Sequence, residues 1–236
     1  TTNGCDSDPC NMAKVLYTLY DETKKEKYRK AIDFFMDNQV RKLPRIRGNF
    51  WHKIKYYNQI WLDGLYMIQP FFAEYSKRYN NEEDYYDIVY QLENAFNLTW
   101  EEDKKLMVHG YDGQYLDPDK KMIWSNPENG HSPIVWLRAC GWYEMALVDV
   151  LEIIEDEILK QNITTLIQKT IDGLLQYLDK DSSMFYQIPN MPNEKGNYLE
   201  TSGTLMIAYS ILKAVRLNAL PQKYQEIGLN ILYGTC

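Results

Sequence analysis

The sequence has no apolar run that approaches the ~18 residues of a membrane-spanning helix, and its N-terminus lacks the basic and apolar blocks of a signal peptide. These two absences predict a soluble protein without a membrane partner. The cysteines, Cys5, Cys10, Cys140 and Cys236, show no Cys-x-x-Cys spacing and no accompanying histidine cluster. We therefore expect neither a metal site nor an organic cofactor.

Basic residues are neither in excess nor concentrated in one segment. The formal net charge is −7, and the 26 lysines and arginines are scattered along the chain. A protein that binds a nucleic-acid backbone would show a concentrated basic patch, so we expect no nucleic-acid partner. An anionic sugar remains compatible with this charge, because one or two well-placed cationic side chains hold a single carboxylate.

Glycine and proline, with 12 and 9 residues among 236, are too scarce for a β-sandwich rich in loops. The chain instead carries long stretches whose apolar residues recur at helical spacing. Predicted helices cover residues 12–22, 25–38, 59–79, 82–98, 134–155, 157–178, 201–217 and 222–232. The polar or Gly-, Asn- and Pro-containing stretches 41–58, 107–132 and 179–197 are predicted to be long loops or short strands.

Long loops and short turns alternate between the predicted helices, which indicates a series of helical hairpins. One hairpin cannot bury its own apolar face, so repeated hairpins form either a solenoid or a closed toroid. Solenoid repeats of about 34 to 47 residues have short loops on both sides. Here one side carries long loops dense in His, Trp, Asp and Arg, so we predict an all-α toroid with a functional loop face, in one domain over residues 1–236.

Asp63 stands at a predicted helix start, within Asn-Gln-Ile-Trp-Leu-Asp-Gly-Leu-Tyr-Met. Its neighbours Trp61, Leu62, Leu65 and Met67 are apolar, and a carboxyl group in such surroundings is costly to ionise. That property suits a general acid. The alternative is an ordinary first-turn carboxylate that the helix dipole stabilises in its charged form. Spacing alone leaves both interpretations open.

Two further clusters combine aromatic and titratable residues. His109 lies in Val-His-Gly-Tyr-Asp, and Arg138 lies in Trp-Leu-Arg-Ala-Cys-Gly-Trp-Tyr, four residues before Trp142. At a helix start, that spacing places a guanidinium and an indole ring on one face. Such a pair is suited to a uronate, with Arg138 facing the substrate carboxylate rather than a structural acid. A cation–π pair in a packed helix is the alternative.

Five sequence segments together resemble glycoside hydrolase family 105, the unsaturated rhamnogalacturonyl hydrolases. They are FWHK, NQIWLDGLYM, HGYD, WLRACGWYEMALVDVLE and NYLETSGTLMIAYSILKAV, and they extend over most of the chain. The resemblance implies a barrel of six helical hairpins, (α/α)6, with twelve helices. Because the eight predicted helices account for only part of that barrel, we expect it to be incomplete at both ends.

The resemblance also implies an oligosaccharide substrate that ends in a 4,5-unsaturated galacturonyl unit, as a pectin lyase leaves it. In the family's reaction, an aspartic acid protonates the vinyl ether at C4 while water attacks C5. The resulting hemiketal opens and releases the neighbouring sugar. The expected protein is a soluble bacterial enzyme of the cytoplasm or periplasm that uses no cofactor.

Matching the family's motifs residue by residue implies a set of site residues. The proton donor falls on Asp63, and a second active-site aspartate falls on Asp8, in the segment before the first predicted helix. Substrate binding falls on His52, Met67, His109, Trp136, Arg138 and Trp142. Leu137, Ala139 and Cys140 replace the smaller or more polar residues usual in the family, which predicts a differently shaped subsite.

Two other functions are compatible with the same sequence. One is the related release of unsaturated glucuronyl units from glycosaminoglycan fragments, with the same acid and the same hydration chemistry. The other is a non-catalytic helical toroid that binds sugars or proteins through its loop face. Consumption of an unsaturated uronate distinguishes either enzyme from the binding protein.

Overall fold

The computed structural model describes residues 5–116 and 124–236, and helices dominate it. The helices are α1 (Asp8–Ala13), α2 (Val15–Thr23), α3 (Glu26–Asn38), α4 (Leu62–Arg78), α5 (Asp84–Thr99), α6 (Leu137–Ile153), α7 (Glu157–Leu175), α8 (Thr201–Arg216) and α9 (Lys223–Gly234). Short strands are β1 (Arg45–Ile46), β2 (Asn49–Phe50), β3 (Gln59–Trp61), β4 (Trp100–Glu101), β5 (Leu106–Met107) and β6 (Gly110–Asp112). None of these helices is long and apolar enough to cross a lipid bilayer.

The helices form consecutive hairpins in two layers. In the inner layer α6 packs between α4 and α8, and α1 packs against the other side of α4. Each outer helix packs against the inner helix that precedes it, α3 on α2, α5 on α4, α7 on α6 and α9 on α8. The predicted all-α class and the predicted hairpins are confirmed by this arrangement.

Helices α4 and α6 occupy the inner layer because they are apolar on nearly every side. Twelve of the 17 residues of α4 and 11 of the 17 residues of α6 are buried, and a helix of that kind is stable only inside a core. Two buried tyrosines join neighbouring helices. The Tyr17 hydroxyl donates to the Phe71 carbonyl at 2.9 Å, and the Tyr143 hydroxyl donates to the Leu92 carbonyl at 2.9 Å.

The inner helices α4, α6 and α8 each follow one extended residue. Trp61, Trp136 and Glu200 have φ/ψ angles of −119°/141°, −120°/120° and −110°/116°, in the β region that is usual for a helix N-cap. Each helix therefore begins sharply, at the residue after its extended one. Asp63 and Arg138 stand in the first turns of α4 and α6 as a consequence.

The ribbon of β3 and β6 corrects one predicted boundary. The apolar spacing predicts a helix from residue 59, but Gln59–Trp61 is a strand whose Ile60 pairs with Tyr111 of β6. Helix α4 begins only at Leu62, whose N–H donates to the His109 carbonyl at 3.2 Å. The ribbon therefore holds the start of α4 beside His109.

The first predicted helix, residues 12–22, begins earlier than predicted and is divided. Helix α1 starts at Asp8, and Lys14 separates it from α2. Pro9 lies in the first turn of α1, where its missing N–H costs no hydrogen bond. Asp8, predicted to precede the first helix, is therefore the first residue of α1.

Candidate active site

The carboxylate of Asp63 and the imidazole of His109 are in direct contact. Asp63 Oδ2 lies 3.0 Å from His109 Nε2, and the two side chains are 17% and 26% exposed. The backbone hydrogen bond from the Leu62 N–H to the His109 carbonyl holds the two side chains close together. Asp63 follows the donor residue in the chain, and His109 is the acceptor residue. Both groups are therefore accessible to a ligand, and neither is freely solvated.

Aromatic rings enclose His109 on two sides. Its ring centroid lies 5.2 Å from that of Trp61 and 4.9 Å from that of Trp136. The Arg138 guanidinium lies over the Trp136 ring, 4.2 Å from its centroid. The structure thus brings together four of the predicted site residues, Asp63, His109, Trp136 and Arg138, in one continuous series of contacts.

Arg138 and Trp142 each have a partner that the sequence did not predict. Arg138 was expected to face a substrate carboxylate rather than a structural acid, but its Nη1 donates to Glu200 Oε1 at 3.0 Å. Glu200, a buried acid at the start of α8, therefore engages one nitrogen of the guanidinium. The spacing of residues within α6 cannot predict this contact. The ring under the cation is Trp136 rather than Trp142. Trp142 instead stacks on Tyr66, with ring centroids 5.0 Å apart.

Asp8 is held by a neighbouring ammonium group. Lys53 Nζ donates to Asp8 Oδ2 and lies 3.5 Å from Asp6 Oδ1. The Asp8 side chain is 51% exposed, three times as exposed as that of Asp63. Among the described residues, Asp8 forms an ion pair with Lys53 and has no direct contact with Asp63.

His52 and Met67 support the site from the protein interior. His52 Nδ1 lies 3.1 Å from Ser7 Oγ, and its ring stacks on Trp61 with centroids 4.7 Å apart. Burial lowers the pKa of His52 to about 4, so the ring is neutral at physiological pH. Met67 is buried in α4, one turn after Asp63. Neither residue is open to solvent, so both shape the site from beneath.

The residue after Asp63 must be small because His52 approaches it closely. A Cβ atom on Gly64 would lie 2.9 Å from His52 Nδ1. That distance is shorter than real Cβ contacts, so a side chain there would displace the imidazole from Trp61. Gly64 therefore allows α4 to start against His52.

A cavity of about 460 Å³ opens beside His109. Its walls include Trp61, Trp124, Trp136 and Gln187, and they are mainly apolar. Sequence reasoning did not single out Trp124 or Gln187. Both lie in predicted loops, 107–132 and 179–197, and the polar composition of these loops was the signal in the sequence that pointed to them. Stacking rings with a few polar groups are typical of a sugar-binding cleft.

The inner helices α4 and α6 begin beside Asp63, Arg138 and the rings of Trp61 and Trp136, so this helical-hairpin fold presents one face with the chemistry of a sugar-binding site. The family model for Glycosyl Hydrolase Family 88 matches residues 3–229. The chain belongs to this family. The predicted resemblance to family 105 is confirmed by this match together with the solved structures described next.

Solved structures with the same fold come from these families. A family 105 glycoside hydrolase from C. acetobutylicum superposes with a TM-score of 0.91 at 38% identity, over 97% of this chain and 62% of that one. A possible family 105 member from Klebsiella pneumoniae gives 0.82 at 22% identity, over 99% and 58%. An unsaturated glucuronyl hydrolase from Bacillus sp. GL1 gives 0.64 at 13% identity, over 94% and 59%. The predicted (α/α)6 class is confirmed, and the last two show the fold alone.

Two curated relatives match a shorter part of the chain. Protein Atu3128 of Agrobacterium fabrum and the 24.9 kDa protein in picA locus of Rhizobium radiobacter are each 34% identical over 151 residues. These residues cover 64% of this chain and 62% of each relative. The chain therefore spans less than two thirds of the length of the relatives and of the structures that it matches.

Proposed function

We propose that the protein releases 4,5-unsaturated galacturonic acid from the non-reducing end of unsaturated rhamnogalacturonan oligosaccharides by hydrating the C4=C5 double bond. The contact of Asp63 with His109, beside Arg138 and an aromatic cavity, carries this proposal. Hydration of an anionic unsaturated sugar needs a proton donor, a cation for the carboxylate and flat surfaces for the ring. This site offers all three.

In the proposed reaction, protonated Asp63 delivers its proton to C4 of the vinyl ether. The electron pair of the double bond forms the new C–H bond, and water adds its oxygen to C5. The water then loses a proton to the Asp63 carboxylate, which restores the acid. The hemiketal formed at C5 opens, and the neighbouring sugar leaves.

The other site residues have supporting roles in this proposal. His109 orients the Asp63 carboxyl group through their contact at 3.0 Å. Arg138 binds the carboxylate of the unsaturated sugar, and Trp136 and Trp142 provide stacking surfaces. Asp8, whose carboxylate contacts Lys53, is the second acid of this proposal and stabilises positive charge as it develops.

Release of unsaturated glucuronic acid from glycosaminoglycan fragments is the second candidate. The unsaturated glucuronyl hydrolase from Bacillus sp. GL1 has the same fold, and the fold is compatible with either substrate. The double bond removes the configuration at C4 that distinguishes galacturonate from glucuronate. The two substrates therefore present the same terminal unit and differ in the sugar that follows it. Discrimination then depends on how the cavity accepts the leaving sugar.

An absorbance assay tests the proposed function. The conjugated unsaturated uronate absorbs ultraviolet light, and hydration abolishes the conjugation. We expect the protein to remove this absorbance from lyase-digested rhamnogalacturonan faster than from lyase-digested glycosaminoglycan. A faster loss from the glycosaminoglycan digest would favour the second candidate, and constant absorbance with both would indicate a binding protein.

Replacing Arg138 by lysine should weaken substrate binding more than it slows the reaction. The lysine keeps the positive charge but loses the planar fork that a carboxylate needs for two parallel hydrogen bonds. We expect KM for the unsaturated oligosaccharide to rise about tenfold or more, the effect of losing one charge-assisted hydrogen bond, while kcat changes less. Steady-state kinetics measure both constants. An unchanged KM would exclude Arg138 as the carboxylate ligand.

A further inference from the structure

We infer that Glu200 is a positioning residue, which holds Arg138 by one nitrogen and leaves the rest of the guanidinium free for the carboxylate of the sugar. This inference rests on the proposed function, in which Arg138 binds that carboxylate. Motif matching assigned no role to Glu200, although it lies in the segment NYLETSGTLMIAYSILKAV.

Both oxygens of the Glu200 carboxylate have defined partners. Oε1 accepts from Arg138 Nη1 at 3.0 Å and from Ser202 Oγ at 2.5 Å, and Oε2 accepts from the Gly203 N–H at 2.5 Å. The side chain is 8% exposed. Burial alone would raise the pKa of Glu200, but the hydrogen bonds from Ser202, Gly203 and Arg138 outweigh burial and lower the pKa below its ordinary value. Glu200 is thus a fixed anion at the start of α8.

Arg138 retains unused donors after this contact. Among the residues that the structure describes, its recorded hydrogen bond is the one from Nη1 to Glu200. Its side chain is 31% exposed, and Trp136 lies against one face of the guanidinium. The group is therefore held at one nitrogen and along one face, while Nε and Nη2 keep their N–H groups for a ligand.

A capping role alone does not account for the bond to Arg138. The N–H of Gly203 already takes the capping position on Oε2, so α8 is capped without Arg138. The contact with Arg138 instead joins the N-cap residue of α8 to the first turn of α6. A free arginine side chain loses rotamer freedom when it binds a ligand, and a side chain that is already held loses less. Glu200 should therefore increase the affinity for the carboxylate.

The variant Glu200→Gln tests this inference in the whole chain. An amide presents one acceptor oxygen and one donor nitrogen, so it cannot accept from Arg138 and Gly203 on its two sides at once. The matched control is Asp156→Asn, because Asp156 caps α7 by accepting from the N–H groups of Ile158 and Leu159. Each variant replaces a capping carboxylate by its amide, and only one of them contacts Arg138.

Two measurements are made on the parent and on both variants. The first is the affinity for D-galacturonate, followed by tryptophan fluorescence, with galactose as the neutral comparison. The second is KM and kcat for the unsaturated oligosaccharide. We expect Glu200→Gln to lower galacturonate affinity and raise KM by about tenfold, the effect of one charge-assisted hydrogen bond. Its kcat should stay within a few-fold of the parent, and Asp156→Asn should match the parent throughout.

The affinity measurement distinguishes failure of this inference from failure of the proposed function. Weaker galacturonate binding by Glu200→Gln supports the positioning role even in a parent that consumes no unsaturated substrate. Equal galacturonate affinity in the parent and Glu200→Gln overturns it, whether or not the parent is active. A loss of affinity for galactose equal to that for galacturonate also overturns it, because a structural defect would affect both sugars alike.

Discussion

Asp63→Asn should retain the fold and lose at least about 100-fold in the rate of unsaturated uronate consumption. General acid assistance contributes roughly 10²- to 10⁴-fold, and an amide cannot supply the proton. In the parent, Asp63 Oδ2 lies 3.0 Å from His109 Nε2. The asparagine side chain has nearly the same shape and can still place an oxygen or a nitrogen atom against His109. Steady-state rates and thermal melting measure the two outcomes.

The matched control for this substitution is Asp84→Asn. Asp84 also stands in the first turn of a helix, α5, and accepts from Ser76 Oγ at 2.9 Å, away from the candidate site. Trp61 and Glu83 occupy the N-cap positions of the two helices, and asparagine keeps the size and polarity of aspartate, so both variants should melt within a few degrees of the parent. Near-parental activity of Asp63→Asn would reject Asp63 as the proton donor and leave Asp8 as the candidate.

The helices could be predicted from sequence because their information is local. Apolar residues lie on nearly every side of α4 and α6, so these helices can be predicted without knowing which elements pack against them. Strand β3 was missed for the opposite reason. Gln59–Trp61 is extended only because β6 pairs with it, and β6 lies beyond two intervening helices. Short apolar runs do not distinguish a strand from a helix until the partner is known.

In the candidate site too, some features could be predicted from local sequence and others could not. Asp63 and His109 belong to distinctive motifs, and the structure places them 3.0 Å apart. The contact of Arg138 with Glu200 could not be predicted, because the two residues are 62 positions apart and both have ordinary helix-start interpretations. Likewise, the face shared by Arg138 and Trp142 gave no reason to expect Tyr66, from another helix, to stack on Trp142. Sequence motifs therefore identified the site residues, but their side-chain partners depend on how the helices pack together.

Glu144 lies outside the site but is the most unusual carboxyl group of the core. It is buried in α6 beside the apolar side chains of Leu106 and Leu174, and the described residues provide no hydrogen-bond partner for its Oε2. Burial raises the pKa of Glu144 to about 8, with a hydrogen bond from Thr170 opposing the change. The carboxyl group is therefore mainly protonated in the folded protein at neutral pH, and ionised in the unfolded chain.

This difference predicts that the protein loses stability as the pH rises. The folded state binds the proton more tightly, so the contribution of Glu144 is complete below pH 4.5 and declines until the pH passes about 8. The decline should reach a few kcal/mol, because each tenfold difference in proton affinity corresponds to about 1.4 kcal/mol. Glu144→Gln, which cannot ionise, should lack this decline and exceed the parent in stability at pH 9.

Urea denaturation of the parent and Glu144→Gln between pH 5 and 9 measures this effect as the difference between two unfolding free energies. Glu157→Gln is the control, because it makes the same change at a side chain that is 84% exposed instead of buried in the core. We expect the Glu144→Gln difference from the parent to grow with pH and to level off above pH 8. A constant difference over the whole range would show that the pKa of Glu144 does not differ between the folded and unfolded states.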